Sequence, residues 1–200
     1  MNAPVTYLIT KGDATPENFH QKRSEISMII EAAVAAGILM IQIREKQISA
    51  KQLFELTAET AAITSTSKTK LLVNGRPDVA KAAGADGVHL PAGGLPIADV
   101  RESFPRPFMI GASVHDPDRA RAAKQAGADF IVFGPIFATP EKSPKGIEPL
   151  VEVCSELDGF PIIAVGGIDG SNFQKVLDVG AAGFAAIRYL NDLEVLKKLR

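Results

Sequence analysis

The 200-residue chain is long enough for one domain with a substantial core, because 46% of its residues are hydrophobic. Its 22 basic and 23 acidic side chains give a net charge of −1, which argues against nucleic acid or an anionic membrane as the main partner. The single cysteine, Cys154, excludes a disulfide framework and a cysteine-built metal cluster. No apolar run approaches the length of a membrane span and no secretory leader is visible, so we expect a cytoplasmic protein.

Eight short apolar runs alternate with segments of helical periodicity along the whole chain. The runs are continuous rather than alternating, which is typical of parallel strands buried on both faces. In chain order they are Val5–Ile9, Ile38–Ile43, Lys70–Val73, Gly87–Leu90, Phe108–Ala112, Phe130–Phe133, Pro161–Val165 and Gly183–Ile187.

A weak internal repeat marks the ends of the predicted helices. Each copy is a small or branched residue followed by glycine, which suits the left-handed position after a helix. The copies are Ala36-Gly37, Ala83-Gly84, Ala126-Gly127 and Val179-Gly180. Eight strands, eight helices and no break in composition predict a single (β/α)8 TIM barrel, one domain over residues 1–200. A doubly wound open sheet is the alternative, but its G-x-G-x-x-G fingerprint is absent.

In such a barrel the functional residues lie at the carboxyl ends of the strands. Gly166 and Gly167 follow the seventh strand and Arg188 follows the eighth, where barrels often bind phosphate with backbone N–H groups. The alternative is that the two glycines only form a tight turn. The barrel context favours phosphate binding.

Basic side chains at several strand ends predict an anionic ligand. They are Arg44, Lys46 and Lys142; the alternative for the first two is a surface ion pair with Glu45. His89 and His115 are candidate bases, although either fits a structural role equally well. No two carboxylates are placed as metal ligands, Asp78 being the one acidic candidate in the central loops. We therefore expect no metal site.

Six motifs in this order resemble the thiamin phosphate synthase/TenI family, whose fold is a (β/α)8 barrel. The resemblance covers essentially the whole chain. The motifs are Gln42-Ile43-Arg44-Glu45-Lys46, Asn74-Gly75-Arg76-Pro77-Asp78, Gly87-Val88-His89-Leu90-Pro91, Ser113-Val114-His115, Gly134-Pro135-Ile136-Phe137-Ala138-Thr139 and Gly166-Gly167-Ile168.

The family has two branches, and this chain departs from both. The synthases couple a pyrimidine diphosphate to a thiazole phosphate with Mg²⁺ held by two Asp residues, where this chain has Gly75 and Gly94. The TenI branch aromatises a thiazole carboxylate phosphate without a metal, and its Asn-Gly-Arg-x-Asp and Leu-Pro-x-Gly motifs are present here. Its proposed catalytic His is replaced by Pro135, as in the synthases. The resemblance therefore favours a TenI-like tautomerase, with the synthase as the alternative.

The resemblance also assigns roles to individual residues. It makes His115 the first candidate and His89 the second for proton transfer, and it assigns Gly166, Gly167, Ile187 and Arg188 to the thiazole phosphate. The remaining pocket residues would be Gln42, Arg44, Lys46, Asn74, Thr139 and Lys142. We expect a phosphorylated thiazole as ligand and no cofactor unless the synthase reaction brings Mg²⁺, and the resemblance leaves a homodimer open. Two other hypotheses are a catalytically silent phosphate-ligand binder and an unrelated phosphosugar isomerase or epimerase on the same fold.

Overall fold

A computed structural model describes residues 3–140 and 142–199. Its eight parallel strands form a closed barrel in chain order, which confirms the (β/α)8 barrel predicted from the sequence. The strands are β1 (Val5–Ile9), β2 (Met40–Ile43), β3 (Lys70–Asn74), β4 (Gly87–Leu90), β5 (Met109–Val114), β6 (Phe130–Phe133), β7 (Ile162–Val165) and β8 (Gly183–Ala186).

A helix follows every strand. The helices are α1 (Phe19–Ala35), α2 (Ala50–Thr64), α3 (Pro77–Ala82), α4 (Ile97–Ser103), α5 (Pro117–Gln125), α6 (Glu148–Glu156), α7 (Phe173–Asp178) and α8 (Leu193–Lys198), with a 3₁₀ turn at Tyr189–Asn191 before α8. No helix among the described residues is long and apolar enough to cross a membrane.

Half of the strands are buried along their whole length. All four residues of β2, β4, β6 and β8 are buried, as continuous apolar runs require in a parallel sheet. Three predicted runs begin before their strands, because residues 38, 108 and 161 lie in the connections before β2, β5 and β7. Ile38 and Phe108 are buried, so apolar residues of the connections extend these two runs beyond the hydrogen-bonded strand.

The four repeated glycines end helices as predicted. Gly37, Gly84, Gly127 and Gly180 follow α1, α3, α5 and α7, and their φ angles are +73°, +79°, +96° and +98°. Side chains disfavour this left-handed region, so glycine is the residue that ends each helix with the least strain.

Two compact units make up the chain. One contains Met1–Thr6 with His89–Ala186, and the other contains Tyr7–Val88 with Ile187–Arg200. Below they are called the His89–Ala186 unit and the Tyr7–Val88 unit. The candidate residues are distributed over both.

Candidate active site

His115 follows β5 in the His89–Ala186 unit and is half-buried. Its Nδ1 lies 2.6 Å from the carbonyl oxygen of Gly134. A carbonyl can only accept a hydrogen bond, so Nδ1 carries the proton and donates it. In the neutral ring, Nε2 is then the nitrogen with a free lone pair. The contact therefore orients the imidazole and sets the tautomer that a general base needs.

His89 lies inside β4 and is only 3% exposed. Its Nε2 lies 2.7 Å from the hydroxyl oxygen of Ser113, on the neighbouring strand β5. A hydroxyl can either donate to this nitrogen or accept from it, so the pair can pass a proton in both directions. No local pattern predicts this contact, because the two residues are 24 positions apart and meet only through the pairing of neighbouring strands.

The chain leaving β6 packs tightly against the chain leaving β7. A side chain at Gly134 would collide with the Val165 carbonyl, and one at Gly166 would collide with Pro135. Two backbone hydrogen bonds join the same segments, from Ile136 N to Val165 O and from Phe137 N to Gly166 O. The segment that carries the acceptor for His115 is therefore rigidly placed.

Gly166 and Gly167 both have left-handed backbones, with φ of +101° and +63°. A Cβ on Gly167 would lie 2.6 Å from the Ala138 carbonyl oxygen. Packing against the chain after β6 therefore already requires both glycines. Their role in phosphate binding stays a prediction, because this packing neither requires a bound phosphate nor prevents one.

Thr139 and Lys142 lie farther along the connection after β6. An isolated antiparallel bridge pairs them, and the Lys142 N–H donates to Thr139 Oγ1 at 3.1 Å. The Lys142 side chain is exposed. The turn thus holds the backbone of the lysine while its ammonium group stays available to an anion.

Gln42 and Asn74 are brought together in the Tyr7–Val88 unit. Gln42 lies in β2, is 1% exposed, and donates from Nε2 to Asn74 Oδ1 at 3.0 Å. Its own Oε1 is buried without a hydrogen-bond partner. Leaving a buried acceptor unpaired costs about 1–3 kcal/mol, so this oxygen marks a place where a ligand N–H or O–H would be stabilised.

Arg44, Glu45 and Lys46 follow β2 and have different environments. Arg44 is half-buried, Lys46 is exposed, and Glu45 is only 4% exposed. Both Glu45 carboxylate oxygens accept backbone N–H groups, from Gly12 at 3.0 Å and Ala14 at 2.9 Å. The alternative of a surface ion pair for Glu45 is therefore wrong, because its carboxylate is buried and accepts hydrogen bonds from the backbone of a neighbouring loop.

Ile187 and Arg188 follow β8. Ile187 is half-buried and Arg188 is exposed. Asn191, which is buried, donates from Nδ2 to the carbonyl oxygens of Ile187 at 2.6 Å and Ile9 at 2.8 Å. Asn191 escaped the sequence analysis, because it stands among other polar residues, Arg188 and Asp192, and nothing in the local sequence distinguishes it. It fixes the backbone that carries Arg188.

The residues near Gly75 do not fit a magnesium ion, which prefers several carboxylate and water oxygens. Both oxygens of Asp78 accept hydrogen bonds from the Arg76 guanidinium, at 2.8 and 2.6 Å, and these bonds lower the pKa of Asp78. Asp78 lies within the first turn of α3, and the cap position before that helix is Arg76. Among residues 3–140 and 142–199, no three His, Cys, Asp or Glu side chains group as metal ligands.

Comparisons with known proteins assign the chain to a family. A family model described as thiamine monophosphate synthase matches residues 6–190. A putative thiamine-phosphate synthase of Geobacter sulfurreducens is 41% identical over 167 residues, 82% of this chain and 78% of the relative. A putative thiamine-phosphate synthase 2 of Aquifex aeolicus is 38% identical over 94% of this chain and 97% of its own length.

A solved structure agrees with these matches. The thiamine phosphate pyrophosphorylase of Pyrococcus furiosus superposes with a TM-score of 0.82 at 30% identity, covering 98% of this chain and 94% of its own. The family match spans nearly every strand and helix described above. This chain therefore belongs to the thiamine monophosphate synthase family.

Proposed function

We propose that this protein is an enzyme of thiamine biosynthesis that aromatises a thiazole carboxylate phosphate by proton transfer without a metal. One observation carries the proposal: His115 donates from Nδ1 to the Gly134 carbonyl at 2.6 Å and so presents Nε2 as an oriented acceptor. Aromatisation removes a proton from a ring carbon and returns one elsewhere, and imidazole suits both steps near neutral pH.

The first step is proton removal by His115 Nε2. The ring then becomes an imidazolium, and its positive charge strengthens the existing Nδ1 bond to the Gly134 carbonyl. The electron pair left on the thiazole is delocalised into the ring and its carboxylate. Returning the proton from Nε2 to the second position completes the tautomerisation and restores the neutral histidine.

The His89 and Ser113 pair offers a second route for the returning proton. Its 2.7 Å contact allows the serine hydroxyl to give up a proton while His89 supplies one to the oxygen. His89 is thus assigned as the second candidate for proton transfer, after His115.

Substrate binding is assigned to groups in each unit. Lys142 is exposed after β6 and would pair with the phosphate, while the backbone at Gly166, Gly167, Ile187 and Arg188 would donate to it. In the Tyr7–Val88 unit, Arg44 and Lys46 would hold the carboxylate. Gln42, held by Asn74, would accept from a donor on the ligand.

The synthase reaction is the second candidate, and the names of the relatives favour it. Both bacterial relatives are described as putative thiamine-phosphate synthases. Loss of a diphosphate group requires its negative charge to be neutralised. Since the donor set around Asn74 and Asp78 does not fit Mg²⁺, that charge would have to be met by Arg44, Lys46 and Lys142.

The deciding experiment follows ring aromatisation of the thiazole carboxylate phosphate by NMR without added metal. The expected result is acceleration over buffer that falls at least about 100-fold in His115→Asn. Asparagine can still donate to Gly134 O from Nδ2 but cannot act as a base. His20→Asn, a change at an exposed histidine of α1, is the matched control and should leave the rate unchanged.

Two other outcomes of these assays would contradict the tautomerase proposal. No acceleration by the wild-type protein, with thiamine phosphate formed from the pyrimidine diphosphate and thiazole phosphate in the presence of Mg²⁺, would replace the tautomerase with the synthase. Ligand binding without turnover in either assay would indicate a catalytically silent binder.

A further inference from the structure

The loop after β1 folds over the residues that follow β2, within the Tyr7–Val88 unit. The buried carboxylate of Glu45 accepts the N–H groups of Gly12 at 3.0 Å and Ala14 at 2.9 Å. Two backbone donors on one buried carboxylate form a charge-assisted pair of bonds. They hold residues 12–14 in a single arrangement.

The same loop contacts Arg44 through both its backbone and its side chain. The Arg44 N–H donates to Thr10 Oγ1 at 2.8 Å, and Thr10 is fully buried. A Cβ built on Gly12 would lie 3.0 Å from Arg44 Nη1 and 3.0 Å from the Arg44 carbonyl oxygen. The guanidinium therefore lies close to the backbone of Gly12, and a side chain at this position would force Arg44 or the loop to shift by a few tenths of an ångström.

Farther along the loop, the turn before α1 is held by its own bonds. Thr15 N–H donates to Asn18 Oδ1 at 2.7 Å, and Asn18 Nδ2 donates to the Asp13 carbonyl at 3.1 Å. The Asn18 bond to Asp13 falls between the two residues that Glu45 holds, so Glu45 and the start of the helix both fix this part of the loop. Of the two residues that Glu45 holds, Gly12 is the one that lies against Arg44.

We propose that residues 10–14 form a brace, which fixes the Arg44 guanidinium for the anionic group of the substrate. Gly12, within the brace, and Glu45, which holds it, are the positioning residues. An arginine that is held before binding loses less side-chain freedom when it pairs with an anion. The brace therefore sets substrate affinity more than the rate of proton transfer. This inference rests on the proposed function only in assigning Arg44 to the substrate.

The first test compares Gly12→Ala with Gly84→Ala. Both glycines have φ of +79°, but nothing lies within 4 Å of a Cβ at Gly84. The two variants therefore share the backbone strain and differ in the contact with Arg44. We expect KM to rise about tenfold in Gly12→Ala alone, the equivalent of one charge-assisted hydrogen bond, with kcat within about twofold of wild type. Equal KM values in the two variants would overturn the brace.

A double-mutant cycle tests whether Gly12 acts through Arg44. In an Arg44→Met background the guanidinium is gone, so Gly12→Ala should no longer raise KM. A rise of the same size in both backgrounds would show that Gly12 affects the substrate by another route and would contradict the proposal.

Amide hydrogen exchange tests the role of Glu45 without any substrate. In Glu45→Gln one carboxylate oxygen is replaced by an NH₂ group, which cannot accept a backbone N–H. We expect the amides of Gly12 and Ala14 to exchange at least about tenfold faster, while exchange at Thr15 stays unchanged. Unchanged protection at Gly12 and Ala14 would exclude Glu45 as the residue that holds the loop.

A final measurement separates failure of the brace from failure of the proposed function. Absence of both binding and turnover of the thiazole by the wild-type protein would refute the proposed function but leave the brace testable by NMR of the Arg44 Nε–H. That proton should exchange more slowly in wild type and Gly84→Ala than in Gly12→Ala. Identical exchange in all three proteins would refute the brace whichever reaction the enzyme catalyses.

Discussion

The two ends of the strands differ in how fully some of their polar side chains are paired. At the amino ends, Asp86 and Asp129 accept backbone N–H groups and pair with basic side chains. At the carboxyl ends, Gln42 keeps an unpaired buried oxygen, and Lys46 and Lys142 are exposed. Satisfied polar groups contribute stability, whereas unsatisfied ones are retained at a cost that ligand binding can offset.

The amino-end network around Asp129 should give the largest effect on stability. Its carboxylate accepts the Ile110 N–H at 2.7 Å and pairs with Arg101 and Arg106. Asp129→Ala leaves Arg101, which is 15% exposed, without its ionic partner, while its bonds to three backbone carbonyls remain, so we expect a loss of about 3 kcal/mol. Urea denaturation measures it, and KM should stay at the wild-type value.

Asp86→Ala is the matched control for that change. Asp86 also accepts a strand N–H, from Leu71 at 2.9 Å, but its ionic partner Lys70 is 52% exposed. The expected loss is therefore smaller, about 1 kcal/mol. Equal losses in the two variants would mean that burial of the ion pair does not distinguish the two sites.

Replacing Gln42 should lower the affinity for the ligand while leaving the stability nearly unchanged. Gln42→Met removes the unpaired Oε1 and also the bond to Asn74, so the free energy of unfolding should change by less than about 1 kcal/mol. The affinity for the thiazole carboxylate phosphate should fall about tenfold, because the ligand loses its acceptor. Calorimetric titration and urea denaturation on the same samples measure both. A loss of stability above that range, with unchanged affinity, would identify Gln42 as a purely structural residue.

Asp78 is a carboxylate at the carboxyl end of the strands that is already hydrogen-bonded. Its replacement should have the smallest effect on stability. The hydrogen bonds from Arg76 lower the pKa of Asp78 from its ordinary value of 3.8. A lowered folded-state pKa stabilises the protein above pH 3.8, and that contribution disappears as the pH falls through the folded value. Because both side chains are largely exposed, Asp78→Asn should cost no more than about 0.5 kcal/mol at pH 7.

The pH dependence of that difference is the check. Urea midpoints of wild type and Asp78→Asn should converge as the pH falls below 3.8 and through the lower folded-state pKa of Asp78, because below that value the carboxyl is protonated in both the folded and the unfolded chain. A gap that widens at low pH would have the wrong sign for a carboxylate stabilised by Arg76.

Much of the fold could be predicted because its signals are local. Buried parallel strands produce continuous apolar runs, and β1, β4 and β6 have the predicted bounds. The helix ends need left-handed glycines, which the repeat at Gly37, Gly84, Gly127 and Gly180 supplied. Asp86 and Asp129, which directly precede β4 and β6, accept N–H groups from the neighbouring strands β3 and β5.

The candidate site was predictable in its residues but not in their partners. The sequence placed His115, Arg44 and Gln42 at or near strand ends, and strand position is a local property. The contacts of His115 with Gly134, of His89 with Ser113 and of Glu45 with Gly12 join residues 19, 24 and 33 positions apart. Such contacts depend on the register between neighbouring strands.

The sequence by itself thus determined the alternation of strands and helices, the barrel and the family resemblance. The reason is that apolar runs and helix-ending glycines are signals contained within short stretches of sequence. Only the tertiary structure decided which nitrogen of His115 carries the proton, that Glu45 is buried, and that Gly166 and Gly167 are already required by packing. The physical reason is that tautomers, buried charges and close backbone approaches are set by neighbours that are distant in sequence.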